Sequence, residues 1–211
     1  MIYKNIIEFL KKRSIELVGL IIIFISFLLA ISFISYSPND PTFVYGTTSI
    51  SINNILGIYG SLVADFLLQS FGLTSFLILI TITSWGFSLV FKKNIKKILP
   101  KIFYLTLYII FTCNFIYLTT NNSFWLIDHG NSGFTGQLLN SWLMNMFPII
   151  NHEYSIFVLL VLSTIFFFLA SSINLKKNLL IFKNIFKLFT KKDNKKDFLE
   201  NIKDQYEDPI N

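Results

Sequence analysis

Four mostly apolar, helix-compatible windows of eighteen residues or more contain no Asp, Glu, Lys or Arg: Leu17 to Ser35, Gly72 to Phe91, Ile102 to Thr119, and Tyr154 to Ile173. About 20 mostly apolar residues in a helix cross ~30 Å of hydrocarbon. One Lys or Asp at a span centre costs about 2.5 to 3.5 kcal/mol on insertion. Windows this long and this clean predict four transmembrane helices, at about 17–35, 72–91, 102–119 and 154–173. Transporters and proton pumps keep ionisable groups inside the membrane, so the pattern favours an anchor over a conduit. The first window follows a basic segment, as a signal peptide would, but its apolar stretch exceeds the usual 7 to 15 residues. Ala30-Ile31-Ser32 resembles a small-x-small cleavage site; the expectation is an uncleaved anchor, with processing there as the alternative.

The charged positions orient these spans. All eighteen Lys and Arg residues fall into three clusters. The first is Lys4, Lys11, Lys12 and Arg13, and the second is Lys92, Lys93, Lys96, Lys97 and Lys101. The third runs from Lys176 to Lys203. Basic segments beside spans stay on the cytoplasmic side. Each charge-free interval therefore leaves the cytoplasm and returns, which puts both termini inside. The expected organisation is a cytoplasmic basic N-terminus (1–16), a four-span membrane domain (17–175), and a basic juxtamembrane segment with a charged linker (176–211). Leu179 to Phe189 interleaves apolar residues with Lys183 and Lys187, a pattern suited to a helix lying on an anionic inner surface. From Thr190 onward the chain is too charged to bury a core and reads as disordered linker.

Two segments lie between the spans on the outer side. The first, Tyr36 to Phe71, opens with Ser-Pro-Asn-Asp-Pro; Pro38 and Pro41 flanking Asn39-Asp40 predict a non-helical turn. Asn53 to Gln69 is apolar and helix-compatible, with Asn54 as its cap. A fifth crossing there would place Asp65 near its centre and the second lysine cluster outside. An interfacial or re-entrant helix against the outer leaflet is the better expectation. The second segment, Thr120 to Glu153, is rich in Asn, Ser and Gly and reads as a solvated loop, with Trp125 and Trp142 as interface anchors.

Composition agrees with the membrane reading: 53% hydrophobic residues, 24 of them Phe, and a mean hydropathy of +0.59. The net charge of +6 sits on one side of the bilayer, and acidic residues dilute the basic tail, so direct nucleic-acid binding is not expected. One cysteine, Cys113, excludes an internal disulfide and reads as a small core residue. Asn114 is the most polar residue of the third span, beside the shared face of Tyr104, Tyr108 and Thr112. It reads either as a helix–helix or subunit contact or as a locally satisfied amide. Asp128-His129 and His152-Glu153 offer metal-ligand types but no ligand spacing. Gly130-Asn131-Ser132-Gly133 matches the GxSG of rhomboid proteases, yet the serine lies in a loop and no span holds a His partner. Gly57-x-x-Gly60 and Gly133-x-x-Gly136 lack the context of a nucleotide fold, and no Gly precedes a Lys, which excludes a P-loop. No catalytic, cofactor or metal site is expected; an intramembrane hydrolase or small transporter using Asn114, Ser132, His129 and His152 is the alternative.

The order of a span, Ser35-Tyr36-Ser37-Pro38-Asn39-Asp40-Pro41-Thr42-Phe43, then Asn54, Gly57, Gly60, Ala64, Asp65, Phe71 and Gly72, resembles the N-terminal four-helix membrane domain of FtsK/SpoIIIE DNA translocases. Gly130, Gly133 and Gly136 resemble the glycine-rich second outer loop of that domain. The resemblance implies an all-α polytopic domain in the bacterial inner membrane that tethers a hexameric, ATP-driven DNA pump to the division septum. It also implies homo-oligomerisation, contacts with other division proteins, and a part in chromosome segregation. Family members continue from the fourth span into a linker and a RecA-like motor. This chain stops in what would be the linker, so the motor is expected in cis in a longer protein or in trans. Tyr36, Pro38, Asp40, Pro41, Asn54, Gly57, Gly60, Asp65 and Gly72 are the motif positions carried over, with a structural role.

Overall fold

The computed structural model describes residues 2–43, 51–92, 98–146, 153–171 and 173. These residues form six helices and, among the described residues, no strand: α1 (Ile2–Ile34), α2 (Gly57–Phe71), α3 (Thr74–Lys92), α4 (Ile98–Thr120), α5 (Gly133–Met146) and α6 (Glu153–Ala170). The tail helix expected over 179–189, the linker after it, and His152 lie outside the described residues.

The four spans are α1, α3, α4 and α6. The first three are long and apolar enough to cross a bilayer, and Tyr154–Ala170 is a shorter apolar helix of about 25 Å, at the lower end of the spanning range. Their limits differ from the hydropathy windows. α1 begins at Ile2, so the basic N-terminal segment is helical and continuous with the first span. α4 starts at Ile98, four residues early, with Pro100 in its first turn, where a missing N–H costs nothing. α6 stops at Ala170 rather than Ile173. Several Ser and Thr hydroxyls within the spans donate to the carbonyl one turn back, as Ser26 does to Ile22 and Thr83 to Leu79, both at 2.8 Å. Hydrocarbon offers them no other partner.

The spans pack as two antiparallel pairs, α1 with α3 and α4 with α6. Gly19 and Gly86 let α1 and α3 approach closely. A Cβ on Gly19 would lie 2.9 Å from the Gly86 carbonyl, and one on Gly86 would lie 2.7 Å from Ile23. Small residues at such crossings drive helix association in membranes, where lipid tails are as apolar as leucine. α4 and α6 interlock through aromatic rings: Phe111 stacks on Phe166, and Tyr108 meets Phe167 edge-on. Polar contacts also join the pairs, among them Cys113 Sγ of α4 with Thr74 Oγ1 of α3 at 3.3 Å. Tyr108 and Thr81 hydroxyls lie 3.1 Å apart, and the Trp85 indole donates to the Ala170 carbonyl at 2.8 Å. These contacts run α1 up, α3 down, α4 up and α6 down. The Lys and Arg positions of α1, Lys92 and Lys101 consequently share one end of the bundle.

α2 and α5 occupy the other, loop end. α2 has 15 residues, about 22 Å at 1.5 Å per residue, too short to cross. Its N-terminal turn contacts Ser32 at the end of α1, and its C-terminus leads directly into α3, so both ends sit at one level of the bundle. The solvated loop expected over 120–153 is corrected by α5. Its Gly133, Gly136 and Asn140 face is buried, seated where a Cβ on Gly136 would meet the Cys113 carbonyl of α4. Between α4 and α5, Leu126 is fully buried in a core with Phe33, Ala64 and Leu68. Trp125 packs beside that core, edge-on to Tyr36, so it is an internal contact as much as an interface anchor.

Candidate functional site: a polar knot at the loop end

The Pro-Asn-Asp-Pro turn places Asp40 beneath the start of the α2 region. Asp40 is 1% exposed, and its two carboxylate oxygens accept the backbone N–H groups of Asn53 (2.9 Å) and Asn54 (2.8 Å). Charge-assisted bonds of this kind are shorter and stronger than neutral ones. Asn54 is not the N-cap expected of it. That position is Leu56, and helix α2 begins at Gly57 in a positive-φ conformation. Asn54 instead bridges two elements: its Oδ1 accepts the Leu56 N–H at 3.1 Å, and its Nδ2 donates to the Ser32 carbonyl at 3.0 Å.

Ser32 returns the tie. Its hydroxyl donates to the Gly60 carbonyl at 2.6 Å, and the Ser35 hydroxyl accepts the Ile55 N–H at 3.1 Å. Gly60 has no room for a side chain, because a Cβ there would collide with Asn54. Ser61 closes the turn by donating to the Pro41 carbonyl at 2.8 Å. The motif positions Asp40, Pro41, Asn54 and Gly60 thus form one network that fastens the end of α1 to α2. Gly57 has open space around it and serves the turn by its φ of 65°.

Beside this network the Tyr36 hydroxyl donates to Asp65 Oδ1 at 3.0 Å and accepts from Gln69 Nε2 at 3.3 Å. A cleft of about 340 Å³ opens over them, lined by Pro38, Asn39, Asp128 and Ile127 among others. Burial lifts the Asp65 carboxyl above the usual carboxylate range and outweighs the bond from Tyr36, and the nearby Asp128 raises it further. Burial, with the adjacent Asp65, also pushes Tyr36 well above its ordinary value, which keeps the donated proton on the phenol. A carboxyl raised on folding stabilises the fold below its unfolded-state value, and that contribution is lost as pH rises through the folded value. Asp65→Asn keeps an acceptor for Tyr36 and removes the buried charge. The variant should melt higher than the natural protein at neutral pH, with the two curves converging in acid. Melting curves that stay parallel across that range would contradict this account of Asp65.

A second seam joins α2, α3 and the loop before α5. Gly72 (φ 56°) and Gly133 (φ 67°) lie backbone to backbone. A Cβ on Gly72 would strike the Asn131 carbonyl, which accepts the Leu73 N–H at 2.8 Å. Asn131 Nδ2 donates to the Thr120 and Asn122 carbonyls. Ser132 is fully buried, and its hydroxyl donates to Asn121 Oδ1 at 2.7 Å. The GxSG serine is therefore a loop fastener with an amide partner. His129 Nδ1 pairs with Gln137 Oε1 at 3.3 Å, and Gln137 Nε2 returns to the His129 carbonyl. No group of three metal-ligating side chains forms among the described residues.

Asn114 lies on the buried face of α4, fully enclosed within the chain's own fold. Both atoms of its amide lack a hydrogen-bond partner, as do Thr112 Oγ1 and Asn140 Oδ1. The structure brings Tyr36, Pro38, Asp40 and Asp65 around one cleft, with Pro41, Asn54 and Gly60 beside it. Gly72 belongs to the second seam and Asn114 to the bundle interior. Asn121, Asn131 and Gln137, which hold the second loop together, carried no signal in the sequence beyond a loop-like composition.

Residues 11–180 match the family model described as the 4TM region of DNA translocase FtsK/SpoIIIE. Three similar relatives are each named DNA translocase FtsK. The chain is 45% identical to that of Rickettsia bellii over 53 residues, 25% of this chain and 7% of the relative. It is 37% identical to that of Rickettsia prowazekii over 79 residues, 37% of this chain and 10% of the relative. The third, from Bradyrhizobium diazoefficiens, is 27% identical over 135 residues, 64% of this chain and 16% of the relative. The chain thus spans a small fraction, 7% to 16%, of the length of these relatives. No solved structure matches it. With a family match over most of its length and four apolar spans under a polar knot, the chain belongs to the family of the 4TM region of FtsK/SpoIIIE DNA translocases.

Proposed function

We propose that this segment is the membrane anchor and septum-recruiting domain of a cell-division DNA translocase acting in chromosome segregation. The observation that carries the reading is the family match over residues 11–180. It is supported by the absence of Asp, Glu, Lys, Arg and His from the apolar windows 17–35, 72–91, 102–119 and 154–173, which suits an anchor better than a path for ions or protons. In this reading both chain termini face the cytoplasm, since the basic positions gather at one end of the bundle. The knot at the loop end then faces the outer side of the inner membrane. The segment performs no catalysis, takes no cofactor or metal, and leaves DNA to an ATPase motor in cis or in trans. It assembles as a homo-oligomer, a hexamer by the family resemblance, and meets other division proteins.

The test is imaging of dividing cells that carry the chain with a green fluorescent protein fused after Asn211. That reporter matures poorly when exported through the general secretory route, so a bright signal reports a cytoplasmic C-terminus. The expected result is a bright band at midcell. Bright but uniform membrane fluorescence would overturn septal recruitment by this segment. A dark membrane with the protein present by immunoblot would mean an odd number of crossings and overturn the topology.

A further inference from the structure

α5 contains no Asp, Glu, Lys or Arg in its 14 residues, and its two faces differ sharply. Gly133, Gly136 and Asn140 are buried against the bundle. On the opposite side Phe134, Leu138 and Trp142, at i, i+4 and i+8, are 51%, 52% and 53% exposed. α2 is built the same way. Its single charge, Asp65, is buried, whereas Tyr59, Val63 and Phe66 are exposed in a stripe that begins at Ile55 just before the helix. Phe43 extends this stripe by meeting Phe66 edge-on.

The α2 stripe adjoins the lipid-facing side of α1, and the α5 stripe lies across a cleft from it. Ile34, the last residue of α1, is exposed, and the next residue, Ser35, holds the Ile55 N–H. From Ile55 the α2 stripe leads to Phe66, which lines one cleft with Phe134 of α5, a cleft that Gln69, Asp128 and His129 also line. A soluble surface seldom presents apolar stripes of this length on two neighbouring helices without a partner. For a multi-pass membrane protein, the surface already adjoining the α2 stripe is bilayer.

We propose that α5 is a second interfacial helix, and that α2 and α5 together form an uncharged collar seated in the headgroup–acyl boundary at the loop end of the bundle. Its occupant is lipid. The collar holds by apolar and aromatic insertion, with Trp142 and Tyr59 at the depth where amphipathic rings settle. Interfacial helices usually carry a Lys- and Arg-rich polar face that is drawn to anionic lipid. This collar has none, so its seating is independent of lipid charge and of salt. The inference rests on the membrane reading of the spans and not on septal recruitment.

The test uses the full chain reconstituted in phosphatidylcholine vesicles, with Leu138→Cys and, separately, Trp142→Cys carrying a nitroxide label. Cys113 is fully buried and stays unlabelled in the folded protein. Labels at Phe27→Cys, on the exposed side of α1, and Asn39→Cys, in the exposed turn, mark the lipid and water limits. The expected result is an oxygen-to-nickel-chelate collision ratio at 138 and 142 severalfold above that at 39, unchanged by high salt or added phosphatidylglycerol. Ratios matching position 39 would place α5 in water and overturn the proposal. Immobilised labels shielded from both reagents would show the face covered by protein, which overturns a lipid occupant. If the position 27 label itself matches position 39, the span assignment fails rather than the collar alone.

Discussion

Replacing Gly72 with alanine lowers the stability of the domain by about 2 to 6 kcal/mol, the sum of about 1–3 for forcing a side chain into this backbone region and about 1–3 for overpacking. Gly72 has φ 56° and ψ −139° and ends α2 by donating its N–H to Leu68. Its missing side chain admits the Asn131 carbonyl on one side and the Gly133 backbone on the other. An added methyl has no flexible side-chain tip to push aside, since each neighbour is main chain held by its own hydrogen bonds. Gly57→Ala is the control. Its φ of 65° is also positive, but nothing lies within 4 Å of the added atom, so it should lose strain energy alone, about 1–2 kcal/mol. Thermal unfolding of both variants in detergent, followed by circular dichroism, measures the difference. Equal losses would mean that the close approach of Asn131 to Gly72 contributes nothing.

The contrast between these two glycines shows how far the sequence can be read. Both stand out as motif positions, and both adopt positive φ, but spacing cannot say which one is crowded. That depends on Asn131, some sixty residues away along the chain. The spans were legible because hydrocarbon imposes one rule on every residue they contain, and because the cation clusters fix which ends coincide. The Gly19 and Gly86 crossing was not, since a lone glycine in an apolar run gives no sign of what it faces. α5 was obscured by its Gly and Asn content, which suggests a loop. Three of those residues, Gly133, Gly136 and Asn140, form its buried face, and Gly136 sits against α4 where only a small residue fits. The signal that would have revealed it is the four-residue spacing of Phe134, Leu138 and Trp142. For Asn114 the polarity was evident in sequence, and its complete burial with an unpaired amide was not.

Asp40→Ala should cost about 3 kcal/mol, because it removes both acceptors from the Asn53 and Asn54 N–H groups, and bonds to a charged group are worth about 1.5–3 kcal/mol each without full additivity. The loss extends beyond two bonds. Asn54 is held by Asp40 and in turn holds Ser32 and Leu56, so freeing its backbone loosens the tie between α1 and α2. Asp40→Asn retains one carbonyl acceptor and should lose about half as much, which separates the role of the second oxygen from that of the turn itself. Neither variant alters a span, so a fluorescent reporter after Asn211 should remain as bright as in the natural protein while the melting temperature falls. A stability loss with unchanged topology is what a loop-end fastener predicts. A change of topology would instead mean that Asp40 helps decide how the chain inserts, and the network around it could no longer be assigned to the loop end alone. Should Asp40→Asn match the natural protein, one oxygen would suffice, and the paired Asn53 and Asn54 contacts would not be the reason a carboxylate occupies this position.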